Sequence, residues 1–321
     1  MITQPGVGLR QEDSKRYSSY KKLQQLCLQY IWTMSLLKTG GWWGRLHAAL
    51  WQSDFWLPEG VTWQDIHTSA GDLWFYSLLV AIMFLFFRYW CLQPLLDPLA
   101  KCWFQRRHNF NYKEVIDHGF HLFCHILFAV VGACVTLPKP WLRDTTLCWK
   151  DFPNHEVTSD IFWYFMIMLG YYWAIMIMDI LPPSRQNPTN IKITFHHIVT
   201  VLLIVFTWIC GLIRIATLIL FIHEYSDVAL HAKKMCKYAG YKKASELFSV
   251  AFCFLWVLTR CCVLPWMALS IFLDAGRWIK MPALFLYQFL FLSLLSLTFI
   301  WTLLLIRSVV RKVRSNMLHI L

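Results

Sequence analysis

The sequence predicts an all-α, polytopic membrane protein with about seven transmembrane helices, from its composition and from the length of its apolar blocks. Of the 321 residues, 58% are hydrophobic and only 15% are charged, whereas about a quarter of the residues in soluble domains are charged. A helix needs about 20 apolar residues to cross a bilayer. The segments that meet or approach this length are 72–92, 118–137, 161–181, 191–210, 212–230, 245–268 and 282–306.

The chain before the first predicted span divides into two parts by composition. Residues 1–41 are polar and basic, and we expect a poorly ordered leader, exposed to the cytosol or the lumen, without a cleavable signal peptide. Residues 42–70 are rich in tryptophan, whose ring is apolar while its N–H stays hydrated, so this part is expected to lie at the membrane interface. The tryptophans are Trp42, Trp43, Trp51, Trp56 and Trp63.

The distribution of basic residues predicts the topology of the remaining chain. We expect a first transmembrane helix at 71–92, a basic cytosolic loop at 93–116 and a short basic cytosolic tail at 312–321. After the first span, fifteen Lys and Arg residues lie in the connections and tail on one side and six on the other. Because basic residues accumulate in cytosolic loops, the first side and the C-terminus are predicted to be cytosolic. The same rule accounts for the net charge of +12, so no nucleic-acid partner is expected.

Polar and ionisable side chains cluster in three of the predicted spans. At bilayer depth such residues are costly, and they usually face the protein interior and serve a function. They are Tyr171, Tyr172, Trp173 and Asp179 in the third span, His196, His197 and Thr200 in the fourth, and His223, Glu224, Ser226 and Asp227 in the fifth.

The depth of these residues follows from the rise of about 1.5 Å per residue in a helix. His196 and His197 are expected roughly 8–9 Å from the cytosolic end of the fourth span. On the antiparallel fifth span, Asp227 is expected roughly 8 Å and His223 roughly 13 Å from that end. His223 and Asp227 are also four residues apart and therefore share one helix face. The two groups are expected to meet in a pocket that is entered from the cytosol.

The residue types alone allow three interpretations of this pocket. The first is acyl transfer, in which a histidine deprotonates an amine or hydroxyl or attacks a thioester, and a carboxylate orients the imidazole. The second is a metal site with histidine and carboxylate ligands. The third is structural, with polar side chains that bond helix to helix. The eleven cysteines show no spacing typical of zinc sites, and no metal is expected.

The stretch HHIVT, followed by GLIRIATLILFIHEYSDVALHAKKMCKYAGY, resembles the Lag1 motif of ceramide synthases, which lies within the TRAM–Lag1–CLN8 (TLC) domain. On this resemblance the TLC domain covers 117–311. The likeness extends to FWLPEGVTWQDI (55–66), to LTRCCVLPW (258–266) and to YYWAIMIMD (171–179), where the family has a Phe-Tyr-Trp stretch ending in Asp. The matching motif residues are His196, His197, Arg214, Thr217, His223, Ser226, Asp227, Leu230 and Lys234.

Two positions of the motif depart from the family's usual pattern. Glu224 stands where the family usually has Asp, and His231 stands where it has Glu. The homeobox-like domain of many animal members is missing, and only WFQRRHN (103–109) is similar to the end of its third helix. The chain is therefore identified as a variant that lacks this domain.

The resemblance implies a fold and an activity. It implies six helices that form a barrel around a long acyl cavity, with one further helix. It implies a sphingoid-base N-acyltransferase, multi-pass in the endoplasmic-reticulum membrane. This enzyme would transfer a fatty acyl group from acyl-CoA, as co-substrate, to sphinganine or sphingosine, without a tightly bound cofactor. Membrane lipids and homo- or hetero-oligomers with other ceramide synthases are the expected partners. The alternative is a TLC-domain protein without synthase activity that acts in lipid transport or membrane lipid regulation. The two departures keep it open, whereas the intact histidine pair counts against it.

The resemblance also suggests roles for individual residues. His196 and His197 would be the catalytic pair, one of which deprotonates the amine or carries the acyl group while the other supports it. Asp227, His223 and Glu224 would orient and tune this pair. The expected substrate-binding residues are Tyr172, Trp173, Asp179, Thr200, Ser226, Lys234 and Arg260.

Overall fold

The computed structural model describes residues 44, 46, 48, 50–104, 111–180 and 191–318, and this part of the chain contains helices but no strand. Each predicted span corresponds to one of seven long helices and extends at most one residue beyond it, so the all-α prediction is confirmed. The expected leader, Trp42 and Trp43 lie outside the described residues. The long helices are α1 (Ala70–Phe86, Phe87–Leu92 and Gln93–Phe104), α2 (Tyr112–Thr136), α3 (Ser159–Ile180), α4 (Ile191–Ile209), α5 (Ile213–Tyr238), α6 (Lys242–Trp256, Val257–Val263, Leu264–Leu269, Ser270–Asp274 and Ala275–Trp278) and α7 (Ala283–Leu318).

Six helices in the described part are long and apolar enough to cross a membrane, namely all of the long helices except α5. The hydropathy of α5 is lower because it carries ionisable residues such as Glu224 and Asp227. Much of α5 is buried against other helices, including His223 and Glu224. The helix predicted as the fifth span is therefore not among these six, and its polar side chains are shielded by neighbouring helices.

The segment expected to be a loop at 93–116 is largely helical. Gln93–Phe104 continues α1 through the π-helical turn Phe87–Leu92, and α2 begins at Tyr112. Basic residues such as Lys101 do not oppose helix formation, because lysine and arginine have high helix propensity. Residues 105–110 of this segment lie outside the described part.

Helices α2 to α7 form a closed ring. Along the ring, α2 packs against α3, α3 against α4, and α4 against α7, while α6 packs against α5 and α5 against α2. The ring closes between α6 and α7, where Trp256 Nε1 donates a hydrogen bond of 3.0 Å to Thr302 Oγ1. The arrangement matches the expected six-helix barrel, and α1 is the further helix, packed against α3.

The contact between α1 and α3 is unusually close at Gly170. A Cβ atom at this position would lie 2.5 Å from Val80 Cγ1 and 2.9 Å from the Ser77 carbonyl oxygen. Because no real Cβ approaches other atoms so closely, the backbones of α1 and α3 can meet here only through a glycine.

One end of the barrel is covered by the connection between α2 and α3. Trp149 of this connection donates a 2.8 Å hydrogen bond to Ser270 Oγ of α6, and Trp141 donates one of 3.2 Å to Thr217 Oγ1 of α5. Arg214 donates a 2.7 Å hydrogen bond to the Leu147 carbonyl. Arg214 and Thr217, which match the middle of the Lag1 motif, therefore hold this cover in place.

Candidate active site

The histidine pair lies where α4 meets α3 and α7. The His196 ring makes an edge contact with Trp301 of α7, at 5.0 Å between ring centroids. The His197 ring faces α3, where its Nδ1 lies 3.5 Å from Asp179 Oδ2 and its centroid lies 6.1 Å from that of Tyr172. The two imidazoles, with centroids 5.9 Å apart, therefore have different neighbours. His196 Nδ1 has no hydrogen-bond partner among the described residues.

His223 presents a defined tautomer when it is neutral. Its Nδ1 lies 2.6 Å from the carbonyl oxygen of Ile219, one turn earlier in α5, and a carbonyl can only accept a hydrogen bond. Nδ1 therefore carries the proton and Nε2 carries the lone pair. Nε2 is buried and has no hydrogen-bond partner in the described part of the chain. A buried imidazole with a free lone pair can accept a proton from a substrate.

Arg260 connects the polar segment of α5 to α6. Its Nη2 donates to the His223 carbonyl at 3.1 Å, to Ser226 Oγ at 3.3 Å and to Asp227 Oδ2 at 3.3 Å. The arginine lies in the π-helical turn Val257–Val263, a kind of irregularity that is frequent at functional sites. Arg260 and Ser226, which we expect to bind substrate, contact each other here, and their role in substrate binding stays a prediction.

A small cavity lies between α3, α4, α5 and α7. Tyr172, Thr200 and His223 line its polar end, and most of the remaining wall is apolar, including Leu203 and Leu294. The cavity is narrow and mostly apolar, and an imidazole lies in its wall.

Glu224 is fully buried but is turned away from His223, its neighbour in sequence. Its Oε2 lies 2.7 Å from Nδ1 of His125 on α2. His125 belongs to a group of histidines that includes His118 and His121, which we did not single out from the sequence. Their spacing of three and four residues within one predicted span was the available signal, because it places them on one helix face.

The other expected site residues lie around this centre. The Trp173 ring contacts Trp74 of α1, at 5.9 Å between centroids, and is therefore directed toward α1. Lys234 lies within electrostatic range of Asp117 and Asp227. Among the described residues, no group of three or more His, Cys, Asp or Glu side chains could hold a metal ion.

Comparison with known proteins gives consistent matches. The model of the TLC domain matches residues 114–307. Ceramide synthase hyl-1 of Caenorhabditis elegans is 27% identical over 241 residues, which cover 68% of this chain and 65% of the relative, so the chain spans just under two thirds of that protein. Ceramide synthase hyl-2 of the same organism is 26% identical, over 72% of this chain and 76% of the relative. Ceramide synthase 5 of Homo sapiens is 25% identical, over 80% and 81%.

Proposed function

The chain belongs to the TLC-domain family, and from that premise we propose that it is an acyl-CoA-dependent N-acyltransferase that makes ceramide or dihydroceramide. In this reaction the amine nitrogen of a sphingoid base attacks the thioester carbonyl of a fatty acyl-CoA. The C–N bond forms, the C–S bond breaks, and the sulfur leaves with a proton as the thiol of CoA. Relatives that are named ceramide synthases support the substrate class.

The observation that carries the proposal is the position of His223 at the polar end of the apolar cavity. An acyl chain held in the cavity would bring its thioester carbonyl toward the wall formed by Tyr172, Thr200 and His223. The lone pair on His223 Nε2 is then available to take a proton from the attacking amine. An apolar lining beside a base is consistent with acyl transfer to an amine, because the acyl chain needs apolar contacts and the amine must lose a proton.

His196 and His197 have separate roles in this proposal. His197 lies beside Asp179 and Tyr172 and is the histidine whose orientation an acidic group can control. His196 packs against Trp301 and supports the same region from the side of α7. One of the two carries the acyl group or removes the amine proton. Arg260 and Asp227 fix the α5 segment that bears His223.

The remaining features of the proposal concern location and partners. We place the chain in the endoplasmic-reticulum membrane with its C-terminus in the cytosol. Acyl-CoA would enter from the cytosolic side, near Lys233, Lys234 and Lys237, and the sphingoid base from the bilayer. Membrane lipids and further copies of ceramide synthases are the proposed partners.

The test is an assay of microsomes from cells that lack endogenous ceramide synthase and express this chain. Sphinganine and a series of acyl-CoA chain lengths are supplied, and the products are measured by mass spectrometry. We expect N-acyl sphinganine above the level of untransfected microsomes. If an expressed and folded protein gives no N-acyl product at any chain length, the proposed activity is wrong, and a TLC-domain protein without synthase activity becomes the better description.

A further inference from the structure

A line of polar side chains connects the barrel interior to the N-terminal part of α2. Glu224 Oε2 lies 2.7 Å from His125 Nδ1, and His125 Nε2 lies 3.3 Å from the hydroxyl of Tyr171. The same hydroxyl lies 2.8 Å from His121 Nδ1. His121 Nε2 lies 3.8 Å from Asp117 Oδ2, so a hydrogen bond between them requires a small movement of either side chain. We call these five residues the α2 relay.

The two ends of the α2 relay differ in their exposure. Glu224 is 0% exposed, and Tyr171 is 1% exposed. The Asp117 side chain is 43% exposed and accepts a 2.6 Å hydrogen bond from Arg88. Glu224 Oε1 is buried and has no hydrogen-bond partner among the described residues. The inner end therefore presents an unused acceptor in the protein interior, while the outer end reaches the surface near the start of α2.

His231 of α5 packs against the middle of the α2 relay. Its ring centroid lies 4.9 Å from that of His121 and 5.1 Å from that of His125. His118 lies beside it, with 3.3 Å between the two Nδ1 atoms. The other charged groups that face this cluster are Arg88, Glu114, Asp227, Lys234 and Arg260.

The cluster also contains three positions at which this chain differs from the family pattern described above. Glu224 replaces an aspartate, His231 replaces a glutamate, and Tyr171 stands where the family's stretch has phenylalanine. Each of the three contacts a histidine of α2. The three positions are therefore neighbours in one cluster of side chains around the histidines of α2.

The proposed reaction produces a proton that must leave the site. A long-chain primary amine with a pKa near that of lysine, about 10.4, is mostly an ammonium ion at neutral pH, and it has no lone pair for attack. The balanced reaction is ammonium plus acyl-CoA giving amide, CoA thiol and one free proton. A site enclosed by helices needs a route for that proton.

We propose that the α2 relay conducts this proton from the substrate ammonium to the exterior, an inference that rests on the proposed function. The ammonium N–H bond breaks and an O–H bond forms at Glu224 Oε1. At rest Glu224 carries a proton on Oε2 and His125 carries one on Nε2. As Oε1 is protonated, the Oε2 proton passes to His125 Nδ1, and His125 releases the proton on Nε2 to the Tyr171 oxygen. Tyr171 gives its own proton to His121 Nδ1, and His121 releases one from Nε2 toward Asp117. Each group gains one proton and loses one.

The test replaces Tyr171 with phenylalanine, which removes one oxygen from the middle of the α2 relay and keeps the ring. The matched control is Tyr164→Phe, in the same helix, because Tyr164 is equally buried and its hydroxyl has no hydrogen-bond partner in the described part. Purified full-length proteins are assayed with sphinganine and palmitoyl-CoA as a function of pH. His121→Asn breaks the α2 relay at the next step and serves as a second variant.

We expect Tyr171→Phe to lower the turnover number about tenfold at neutral pH, as for the loss of a proton-transfer step. The ratio of the wild-type turnover number to that of Tyr171→Phe should fall as the pH rises from about 7 to about 9.5, because more substrate then arrives as the free amine. Tyr164→Phe should show a pH-independent ratio to the wild type. The double variant Tyr171→Phe/His121→Asn should be no slower than the slower single variant, since both block one path.

The outcomes separate this inference from the proposed function. A wild-type protein that makes no N-acyl product with palmitoyl-CoA or with acyl-CoA of any other chain length contradicts the proposed function itself. An active wild type whose ratio to Tyr171→Phe is the same at every pH, or equals that of Tyr164→Phe, contradicts only the α2 relay. The α2 relay would also be contradicted if the loss of turnover in Tyr171→Phe/His121→Asn equalled the product of the losses in the two single variants.

Discussion

Nη2 of Arg260 lies 3.3 Å from Oδ2 of Asp227 and joins α6 to α5 beside the candidate active site. The arginine side chain is 3% exposed, whereas the aspartate side chain is 24% exposed. A guanidinium remains charged when it is buried, so it depends on its few partners for compensation. This ion pair therefore fixes the relative position of the two helices at the level of His223.

Removing one member of this ion pair should lower the free energy of unfolding more than removing both. We expect Arg260→Met to lower the free energy of unfolding by about 3 kcal/mol, the lower end for a broken buried pair, because Asp227 is partly exposed. The double variant Arg260→Met/Asp227→Asn should recover part of that loss. Thermal unfolding of the purified proteins in one detergent measures both effects. Additive losses in the double variant would show that the two side chains are not coupled.

Replacing either histidine of α4 should abolish the reaction without unfolding the protein. We expect His196→Ala and His197→Ala each to reduce N-acylation at least about 100-fold, because each removes an imidazole that the proposed chemistry uses. The microsomal assay measures the rate, and immunoblotting measures accumulation. His67→Ala, at an exposed position before α1, is the control and should retain full activity. Retained activity in both α4 variants would assign these histidines a structural role.

The cavity wall should determine which acyl chains are accepted. Leu203→Trp places a larger side chain at the cavity wall, and we expect its products to shift toward shorter acyl chains than those of the wild type. Leu202→Trp is the control, because Leu202 lies on the outer face of the same helix and is 47% exposed. Competition among acyl-CoAs of different length, read by mass spectrometry, measures the distribution. An active Leu203→Trp enzyme with unchanged products would place the acyl chain elsewhere.

The close contact of α1 and α3 should not tolerate a methyl group. We expect Gly170→Ala to destabilise the protein by about 1–3 kcal/mol, as for overpacking in a well-packed core, because the Ser77 carbonyl cannot move away independently of α1. Gly276→Ala is the matched control, since nothing lies within 4 Å of a Cβ at that position. Thermal unfolding compares the two variants. Equal midpoints of thermal unfolding for Gly170→Ala and Gly276→Ala would mean that α1 shifts freely against α3.

The helices were predictable because their signal is local. The apolar blocks around 72–92 or 282–306 specify spans through composition alone, and each became a helix. A shared depth for the histidine pair and His223 could also be predicted, since helical rise is constant. The polar composition of α5 is equally local, but which neighbouring helices shield its polar side chains is known only from the tertiary structure.

The sequence by itself determined the all-α class, the order of the helices and the presence of imidazoles and carboxylates at a shared depth. Only the tertiary structure decided which of these groups meet. His223 and Glu224 are adjacent in sequence, yet His223 lines the cavity and Glu224 binds His125 of α2. Successive residues point about 100° apart around a helix of 3.6 residues per turn. The rotation of α5 about its axis decides which partners His223 and Glu224 meet. This rotation is set by the packing of α5 against α2 and α6 together, and no single segment of the sequence specifies it.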